Sequence, residues 1–325
     1  MKISVITPTY NRAKDLEKLY TSLIINSNTP GIKIEWLVMD DGSTDKTKII
    51  VENFKEQKII DIKYFYESNN GKMAAVNNLM DSVTGDIVFT CDSDDYLTTD
   101  AFEKIKKYSK YLLEDETVYA LVFLKQNEKG EISGKKFQEN LHRSDMFSLY
   151  FRENMTGEKI IVFKTSIRKN FKHELEADEK FITESRMYHK IDEKYDILGI
   201  NEVIEIGDYK EDGYSKNIME MFKKYPLGYY MYFKELLAKD LKDVPFSKKM
   251  YIYKQYILFA NLAQQGNSIS NVHGLLNKII IAILWIPGTI MTKKRFKVNE
   301  NIENESKKTS ENQIKKVDEI EEKNN

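Results

Sequence analysis

The chain has 325 residues, with 50 basic and 51 acidic side chains and a formal net charge of −1. Hydrophobic residues make up 41% and charged residues 31%, so the chain can bury a core and is not disordered throughout. The near-zero charge argues against a general nucleic-acid binder, and we expect no nucleic-acid partner. The single cysteine, Cys91, excludes an internal disulfide framework and favours a reducing compartment.

The first hundred residues alternate short apolar runs with amphipathic stretches. The pattern predicts strands over residues 2–7, 34–40, 62–67 and 86–90, and helices over 13–26, 44–54 and 72–82. Pro8 is expected to end the first strand. Strands that alternate with helices predict an α/β fold with a Rossmann-like, mostly parallel sheet and helices on both faces.

The chain divides into three predicted regions. Residues 1–215 form a first domain, which also contains predicted strands over 118–124, 159–164 and 202–209 and a helix over 181–194. Residues 216–297 are helical, aromatic and basic, and residues 298–325 have the composition of a disordered charged tail.

Polar clusters follow three of the predicted parallel strands. These clusters are Thr7-Pro8-Thr9, Asp40-Asp41-Gly42-Ser43 and Asp92-Ser93-Asp94-Asp95. Because ligands of such sheets bind outside the carboxyl ends of the strands, the topology predicts one binding edge that all three clusters share.

The acidic cluster at residues 92–95 has two interpretations. Three carboxylates within four residues repel one another unless a cation neutralises them, and Mg²⁺ and Mn²⁺ prefer oxygen ligands. The first interpretation is therefore a metal site that also holds phosphates. The alternative is an acidic turn in which Asp95 caps the following helix.

Two further loops carry candidate ligand-binding residues. Asp40 and Asp41 exceed what a turn and helix cap need, so one carboxylate is free to accept a hydrogen bond from a nucleobase or a ribose. Asn70 and Lys72 stand where a loop enters a helix, where a lysine can approach phosphate, although a solvated lysine is the alternative. Arg12 is a phosphate contact or a helix-start cation.

Together these motifs resemble the family 2 glycosyltransferases, which are inverting enzymes of the A-type glycosyltransferase (GT-A) fold. The matching segments are residues 6–12 (ITPTYNR), 38–45 (VMDDGSTD), 70–72 (NGK) and 92–95 (DSDD). Their order and spacing over about 95 residues make the resemblance specific. The resemblance covers the first half of the chain well and extends more loosely to about residue 215.

The resemblance implies a role for each matching residue. Thr7, Pro8 and Tyr10 line the nucleotide pocket, and Asp40 or Asp41 contacts the uracil and ribose. Asp92, with Ser93 beside it, contacts the ribose or reaches the metal through water, Asp94 ligates Mn²⁺ or Mg²⁺, and Asp95 lies beside the donor sugar. Residues 1–215 are then the domain that binds a nucleotide sugar and catalyses transfer.

The family also requires a carboxylate base for the acceptor hydroxyl. The family's common Glu-Asp pair is absent from residues 173–185 (HELEADEKFITES). Alignment of the apolar pattern of the following helix places Glu184 at the base position, with Glu179 as the next candidate. The alternative for Glu184 is an acid in the first turn of a helix. The loop 209–215 resembles one that closes over the diphosphate.

The basic C-terminal region suggests contact with a membrane surface. Residues 218–297 carry 13 basic and 4 acidic side chains, and an apolar stretch around Trp285 is followed by Lys293-Lys294-Arg295. Length and Pro287-Gly288 argue against a spanning helix. Peripheral contact through residues 275–297 is one interpretation, and a helix packed on the rest of the protein is the other.

The resemblance implies a metal-dependent inverting glycosyltransferase that takes a nucleotide sugar, with UDP as the preferred nucleotide. A glycan or lipid-linked acceptor in bacterial surface polysaccharide synthesis is expected. The expected location is the cytoplasm, with the inner face of the plasma membrane as the place where a lipid-linked acceptor would be met. Two alternatives are a non-catalytic nucleotide- or glycan-binding module and a nucleotidyltransferase, which also uses aspartates and a divalent metal. The sequence between residues 11 and 14 lacks the glycines that a nucleotidyltransferase loop needs.

Overall fold

The computed structural model of the chain describes residues 1–176, 179–208, 218–266 and 268–296. These residues form two compact units, which are described separately. The first unit contains the described residues up to 208 together with 243–245, and the second contains the described residues of 218–242 and 246–296.

Four parallel strands begin the first unit, in the spatial order β3-β2-β1-β4. Each of the first three strands is followed by a helix, as the alternation in the sequence predicts. The elements are β1 (Lys2–Thr9), α1 (Leu16–Ser27), β2 (Lys33–Asp41), α2 (Thr47–Glu56), β3 (Asp61–Glu67), α3 (Lys72–Met80) and β4 (Ile87–Thr90).

The sheet continues beyond β4 in the order β4-β8-β6-β9-β5, and β7 also pairs with β9. Strand β8 is antiparallel to both of its neighbours, whereas β6 and β9 are parallel. The elements are β5 (Tyr96–Leu97), α4 (Ala101–Leu113), β6 (Val118–Gln126), β7 (His142–Ser144), a π-helical turn (Ser148–Arg152), β8 (Lys159–Lys164), α5 (Thr165–Arg168), α6 (Ser185–Ile191) and β9 (Asp196–Ile206).

Both faces of the sheet are covered by helices. Successive residues of a strand point to opposite faces, so neighbouring residues of β2 pack against different helices. Trp36 and Val38 pack in the apolar cluster that includes residues of α1, α2 and α4. Leu37 and Met39 pack in the cluster that includes residues of α3 and α6. The predicted α/β class, with a Rossmann-like first half and helices on both faces, is confirmed.

Several predicted boundaries in this unit are wrong. The strand predicted over 202–209 is β9, Asp196–Ile206, and α1 and α2 each begin three residues later than predicted, at Leu16 and Thr47. Strand β1 continues through Pro8, which pairs with Met39. Pro8 lies beyond the last residue pair with β4, where a missing N–H is tolerated. The helix predicted over 181–194 begins only at Ser185. Residues 181–184 lie outside the helix, and Lys180 before them is held by the loop before α3, through a hydrogen bond from Lys180 Nζ to Asn69 O of 2.6 Å.

The second unit is helical and aromatic, as predicted. Its helices are α7 (Ile218–Lys224), α8 (Leu227–Ala238), α9 (Phe246–Leu262) and α10 (Leu275–Phe296). Aromatic rings from three of these helices meet at centroid distances of 4.8–5.6 Å, namely Phe222, Tyr229, Phe233 and Phe259. Ring contacts of this kind stabilise helix packing beyond the burial of apolar area. The predicted loop at 209–215 and the tail at 298–325 lie outside the described residues.

The sequence argument against a spanning helix is wrong about length. Helix α10 has 22 residues and runs through Pro287-Gly288 without a break. Its most apolar window has a mean hydropathy of 1.7, and 11% of that window is buried. By length and composition alone, α10 could cross a bilayer, which is weak evidence for a membrane span.

Asp192 makes the stability of the first unit depend on pH. Its carboxylate accepts hydrogen bonds from Tyr119 Oη at 3.0 Å and from the backbone N–H groups of Met146 and Phe147 at 3.1 and 3.0 Å. Burial disfavours the charged carboxylate and raises the pKa of Asp192 to about 7. The folded protein therefore keeps this proton up to about pH 7, whereas the unfolded chain releases it near pH 4.

Because the unfolded state binds fewer protons between these two pH values, Asp192 makes stability fall as pH rises from about 4 to about 7. We expect wild type to lose stability relative to Asp192→Asn over this range, by at most about 4 kcal/mol. Urea unfolding of both proteins at pH 5 and pH 8 measures the effect. A stability difference that stays the same at both pH values would contradict it.

Candidate active site

The polar clusters of the sequence lie at one end of the parallel strands. Strand β1 ends at Thr9 and β2 at Asp41, and β4 leads directly into the acidic motif 92–95. Thr7 is buried and accepts a hydrogen bond from Trp36 Nε1 at 3.0 Å. Pro8 continues β1 toward the same end. The structure thus places these segments at the sheet edge where the strand order predicts a ligand site.

Asp40 and Asp41 are buried, and both carboxylates are engaged by the protein. Asp40 accepts hydrogen bonds from Ser43 N at 2.7 Å and Tyr64 Oη at 2.7 Å. Asp41 accepts from the backbone N–H groups of the loop before α3, at 2.6 Å from Asn70 and 2.9 Å from Gly71. In this structure the two aspartates fix the loops of the site, and their contact with a nucleotide stays a prediction.

The segment after β1 is tied to the segment after β2. Asn11 has a φ of 52°, and its side-chain oxygen accepts a hydrogen bond from Thr44 N at 2.8 Å. Tyr10 beside it is 49% exposed, so its ring is available to a ligand. Arg12 follows, with its guanidinium 3.9 Å from Asp15 Oδ2. The predicted nucleotide-pocket residues of β1 therefore come to a partly open, hydrogen-bonded edge.

The acidic motif can hold a divalent cation. One carboxylate oxygen from each of Asp92, Asp94 and Asp95 lies within 4.8 Å of the other two. Ser93 between them is buried. Burial and the charge of Asp92 raise the pKa of Asp94, and burial raises that of Asp95 to about 6. A close set of oxygen donors of this kind fits Mg²⁺ or Mn²⁺.

Lys72 connects the acidic motif to Glu184. Its Nζ lies 2.8 Å from Asp92 Oδ2 and 3.1 Å from Glu184 Oε1. Burial alone lowers the pKa of Lys72, but the charges of these two carboxylates raise it well above its ordinary value. Lys72 is therefore an ammonium ion between two anionic groups, and not a solvated surface lysine.

Glu184 stands immediately before α6. It accepts a hydrogen bond from Tyr188 Oη at 2.7 Å. Burial raises the pKa of Glu184, but the charge of Lys72 and the Tyr188 hydrogen bond outweigh burial and lower it to about 2. Glu184 is therefore ionised at neutral pH, which is the form that a proton acceptor needs.

A glycine allows Glu184 to reach Lys72. Gly71 has a φ of 92°, and a Cβ built on it would collide with the Lys180 carbonyl. The close approach at Gly71 brings the segment before α6 against the loop before α3. Glu184, four residues after Lys180, then lies beside Lys72, the first residue of α3.

One cavity of about 400 Å³ joins Lys72 and Glu184 to the acidic motif, of which Asp94 is not among the described lining residues. Its polar walls include Lys72, Asp92, Asp95 and Glu184, and its apolar walls include Met146, Tyr150, Ile161, Phe163 and Tyr188. Glu184 is one of the described residues that line the cavity, and Glu179 is not. The geometry thus separates the two carboxylates that the sequence left as candidates for the base.

A buried cluster next to the acidic motif is missed by the sequence analysis. Lys125 Nζ lies 2.6 Å from Asp95, 3.1 Å from Glu158 and 3.6 Å from Glu205. Asp95 and Glu205 are almost completely buried. Burial and the charge of Asp95 raise the pKa of Glu205 well above its ordinary value. Lys125 therefore neutralises the carboxylates around it and holds Asp95 of the acidic motif in position.

We expect Lys125→Met to lower the free energy of unfolding by about 3 kcal/mol, because it leaves buried carboxylates without their cation. Urea unfolding at neutral pH measures the change. The matched control is Lys129→Met, which removes an exposed lysine of the following turn and is expected to change stability by less than about 0.5 kcal/mol. Equal stability of the two variants would contradict a central role for Lys125.

One protein-family model matches the region that contains both the parallel strands and the motifs. The family model described as "Glycosyl transferase family 2" matches residues 4–171, which is half of the chain and includes every motif up to the acidic cluster. The chain belongs to glycosyltransferase family 2.

Curated relatives of this glycosyltransferase include two enzymes with named acceptors. The GalNAc(5)-diNAcBac-PP-undecaprenol beta-1,3-glucosyltransferase of Campylobacter jejuni is 33% identical over 174 residues, 52% of this chain and 53% of the relative. The poly(ribitol-phosphate) beta-N-acetylglucosaminyltransferase TarS of Staphylococcus aureus is 26% identical over 58% of this chain and 32% of the relative. The matched region spans 36% to 53% of the length of the first three curated relatives.

Solved structures share the GT-A fold of this glycosyltransferase. TarS 1-349 from S. aureus, in complex with UDP-GlcNAc, has a TM-score of 0.56 at 22% identity and covers 89% of this chain and 79% of that chain. The mannosyltransferase PcManGT from Pyrobaculum calidifontis, in complex with GDP-Man and Mn²⁺, has a TM-score of 0.53 at 19% identity and covers 90% and 83%. At these identities the likeness establishes the fold.

Proposed function

We propose that this glycosyltransferase moves a sugar from a nucleotide-sugar donor to a hydroxyl of a glycan or lipid-linked acceptor, with inversion at the anomeric carbon. The observation that carries the proposal is the bridge formed by Lys72 between Asp92 and Glu184 across one cavity. On one side lie carboxylates suited to a metal and a diphosphate, and on the other an ionised carboxylate suited to accept a proton.

The donor and the metal are proposed from the donor set and the relatives. UDP-sugar is the preferred donor class, and the structure of TarS with UDP-GlcNAc supports it. Asp94, together with Asp92, would hold Mn²⁺ or Mg²⁺, and the structure of PcManGT with GDP-Man and Mn²⁺ supports a metal. The ion would stabilise the negative charge that builds up on the departing diphosphate.

The chain's own residues position the reacting groups. Tyr10 and the loops fixed by Asp40 and Asp41 would hold the nucleotide, and Lys72 would contact the diphosphate. Glu184 would take the proton of the acceptor hydroxyl while the acceptor oxygen forms a bond to the anomeric carbon. The bond from that carbon to the diphosphate oxygen breaks, and its electron pair leaves with the nucleoside diphosphate.

In this scheme, Lys72 would exchange its two carboxylate partners for the diphosphate of the donor. In the structure it neutralises Asp92 and Glu184. A diphosphate beside Asp92 would compete for the ammonium group, and a Glu184 freed of Lys72 would be a stronger base because its pKa would lie nearer to the working pH. Donor binding would thus prepare the site for the acceptor.

The acceptor is proposed from the cavity and the names of the relatives. Aromatic side chains around Glu184, including Tyr150 and Tyr188, offer apolar faces against which a sugar ring can pack. The relatives are named for an undecaprenol-linked acceptor and for poly(ribitol-phosphate), both of which support bacterial surface glycan synthesis. With one cysteine in the chain, we place the reaction at the cytoplasmic side.

A donor screen tests the proposal. The protein is incubated with Mn²⁺, a panel of UDP-, GDP- and dTDP-sugars, and bacterial lipid-linked or polymeric glycans, and released small molecules are quantified. We expect nucleoside diphosphate from one donor, in an amount equal to the sugar transferred. Release of pyrophosphate would indicate nucleotidyl transfer instead, and tight binding without any release would indicate a non-catalytic binding module.

A further inference from the structure

Helix α10 has one face that is fixed to its own unit. Ile281, Thr292 and Phe296 on this face are buried. Asn277 Nδ2 donates a hydrogen bond to Leu237 O of α8 at 3.0 Å. Gly288 lies so close to Ile257 of α9 that a Cβ would approach its side chain to 2.8 Å. These contacts set the rotation of α10 about its axis.

The opposite face of α10 carries a row of exposed aliphatic side chains. They follow one another at intervals of three and four residues, which places them on a single stripe of the helix. The stripe consists of Leu276, Ile279, Ile283, Ile286 and Ile290, which are between 48% and 71% exposed. An unbroken apolar row of this kind is typical of a surface that binds a partner or a membrane.

The charges around the stripe favour a membrane with anionic lipids. Residues 275–296 contain no acidic side chain, and the stripe ends beside Lys293, Lys294 and Arg295. Two copies of α10 packed along their stripes would bring these cations together within one interface. Anionic headgroups neutralise these cations instead.

The fixed face distinguishes a helix that lies in the membrane surface from one that crosses the membrane. A crossing α10 would carry α8 and α9, with Lys234 and Lys254, into hydrocarbon because its buried face is packed on them. A helix that lies parallel to the surface places only the stripe below the headgroups.

We propose that the stripe and the 293–295 cluster form a membrane-docking surface that lies in the interface of an anionic bilayer. The surface belongs to the second unit, and it does not depend on the chemistry proposed for the cavity. It places the enzyme peripherally on a membrane.

Vesicle sedimentation of the full chain tests this surface. Wild type is expected to sediment with phosphatidylglycerol/phosphatidylethanolamine vesicles, to bind phosphatidylcholine vesicles weakly, and to be released by high salt. The double variant Ile283→Glu/Ile286→Glu is expected to lower the partition coefficient at least tenfold. Lys293→Gln/Lys294→Gln/Arg295→Gln is expected to lower binding to anionic vesicles and to remove most of its salt dependence.

The matched control is Ile49→Glu/Ile59→Glu, which alters two isoleucines of the first unit that are 59% and 49% exposed. It is expected to bind vesicles like wild type, and circular dichroism establishes that all variants fold. Equal binding by the stripe variant and wild type would overturn the proposal. A wild-type dimer in light scattering that the stripe variant dissociates would assign the stripe to a second copy, and resistance to carbonate extraction would assign α10 to a span.

Discussion

Glu184→Gln is expected to reduce turnover by about 10²–10⁴-fold, because glutamine cannot accept the acceptor proton. The substitution preserves size, and a glutamine oxygen can still accept the hydrogen bond from Tyr188 Oη. Lys72 retains its contact with Asp92, so the donor side of the cavity stays in place. Nucleotide affinity, measured by calorimetry, is therefore expected to remain near that of wild type.

The matched control is Glu179→Gln, which changes the other carboxylate that the sequence offers as a base. Glu179 does not line the cavity among the described residues, and its variant is expected to keep wild-type turnover. Loss of turnover in Glu179→Gln with full turnover in Glu184→Gln would exchange the two roles. Loss of nucleotide binding in Glu184→Gln would count against a role as base.

Asp94→Ala is expected to reduce transfer by about 10²–10³-fold, since metal stabilisation of a leaving group contributes several kcal/mol and each tenfold is about 1.4 kcal/mol. The carboxylate belongs to the oxygen set of the acidic motif, so the variant is also expected to bind Mn²⁺ more weakly. Initial rates at saturating donor, with Mn²⁺ binding followed by its electron paramagnetic resonance signal, measure both effects.

Asp100→Ala is the control for loss of a nearby carboxylate. Asp100 pairs with Lys104 at 2.8 Å and precedes α4, outside the acidic motif. Its variant is expected to retain transfer and Mn²⁺ binding. Full transfer by Asp94→Ala in the presence of Mn²⁺ would contradict a metal role for this residue.

The sequence was sufficient for the first half of the fold, where local pattern and tertiary structure agree. Strands β2, β3 and β4 lie within one residue of their predicted ends, because each is a short apolar run bounded by polar loops. The strand ends also correctly predicted that the acidic motif and the Asp40-Asp41 segment share one edge of the sheet. Parallel topology needs no side-chain detail for that inference.

Contacts between distant parts of the chain determine the features that the local sequence pattern did not predict. The start of α6 follows a segment that Lys180 holds to the loop before α3, more than a hundred residues earlier in the chain. Lys125 follows a buried apolar run, so the sequence did indicate a charged residue near the end of a strand. Its partners Glu158 and Glu205 come from strands or loops whose pairing with β6 cannot be inferred from local sequence.

The central claim is that the cavity supports a single displacement with Glu184 as the base. The anomeric configuration of the product, measured by proton NMR coupling constants, tests it most directly. With an α-linked UDP-sugar that the donor screen identifies, the account predicts a β-linked product from wild type. An α-linked product would contradict a single displacement and the role given to Glu184.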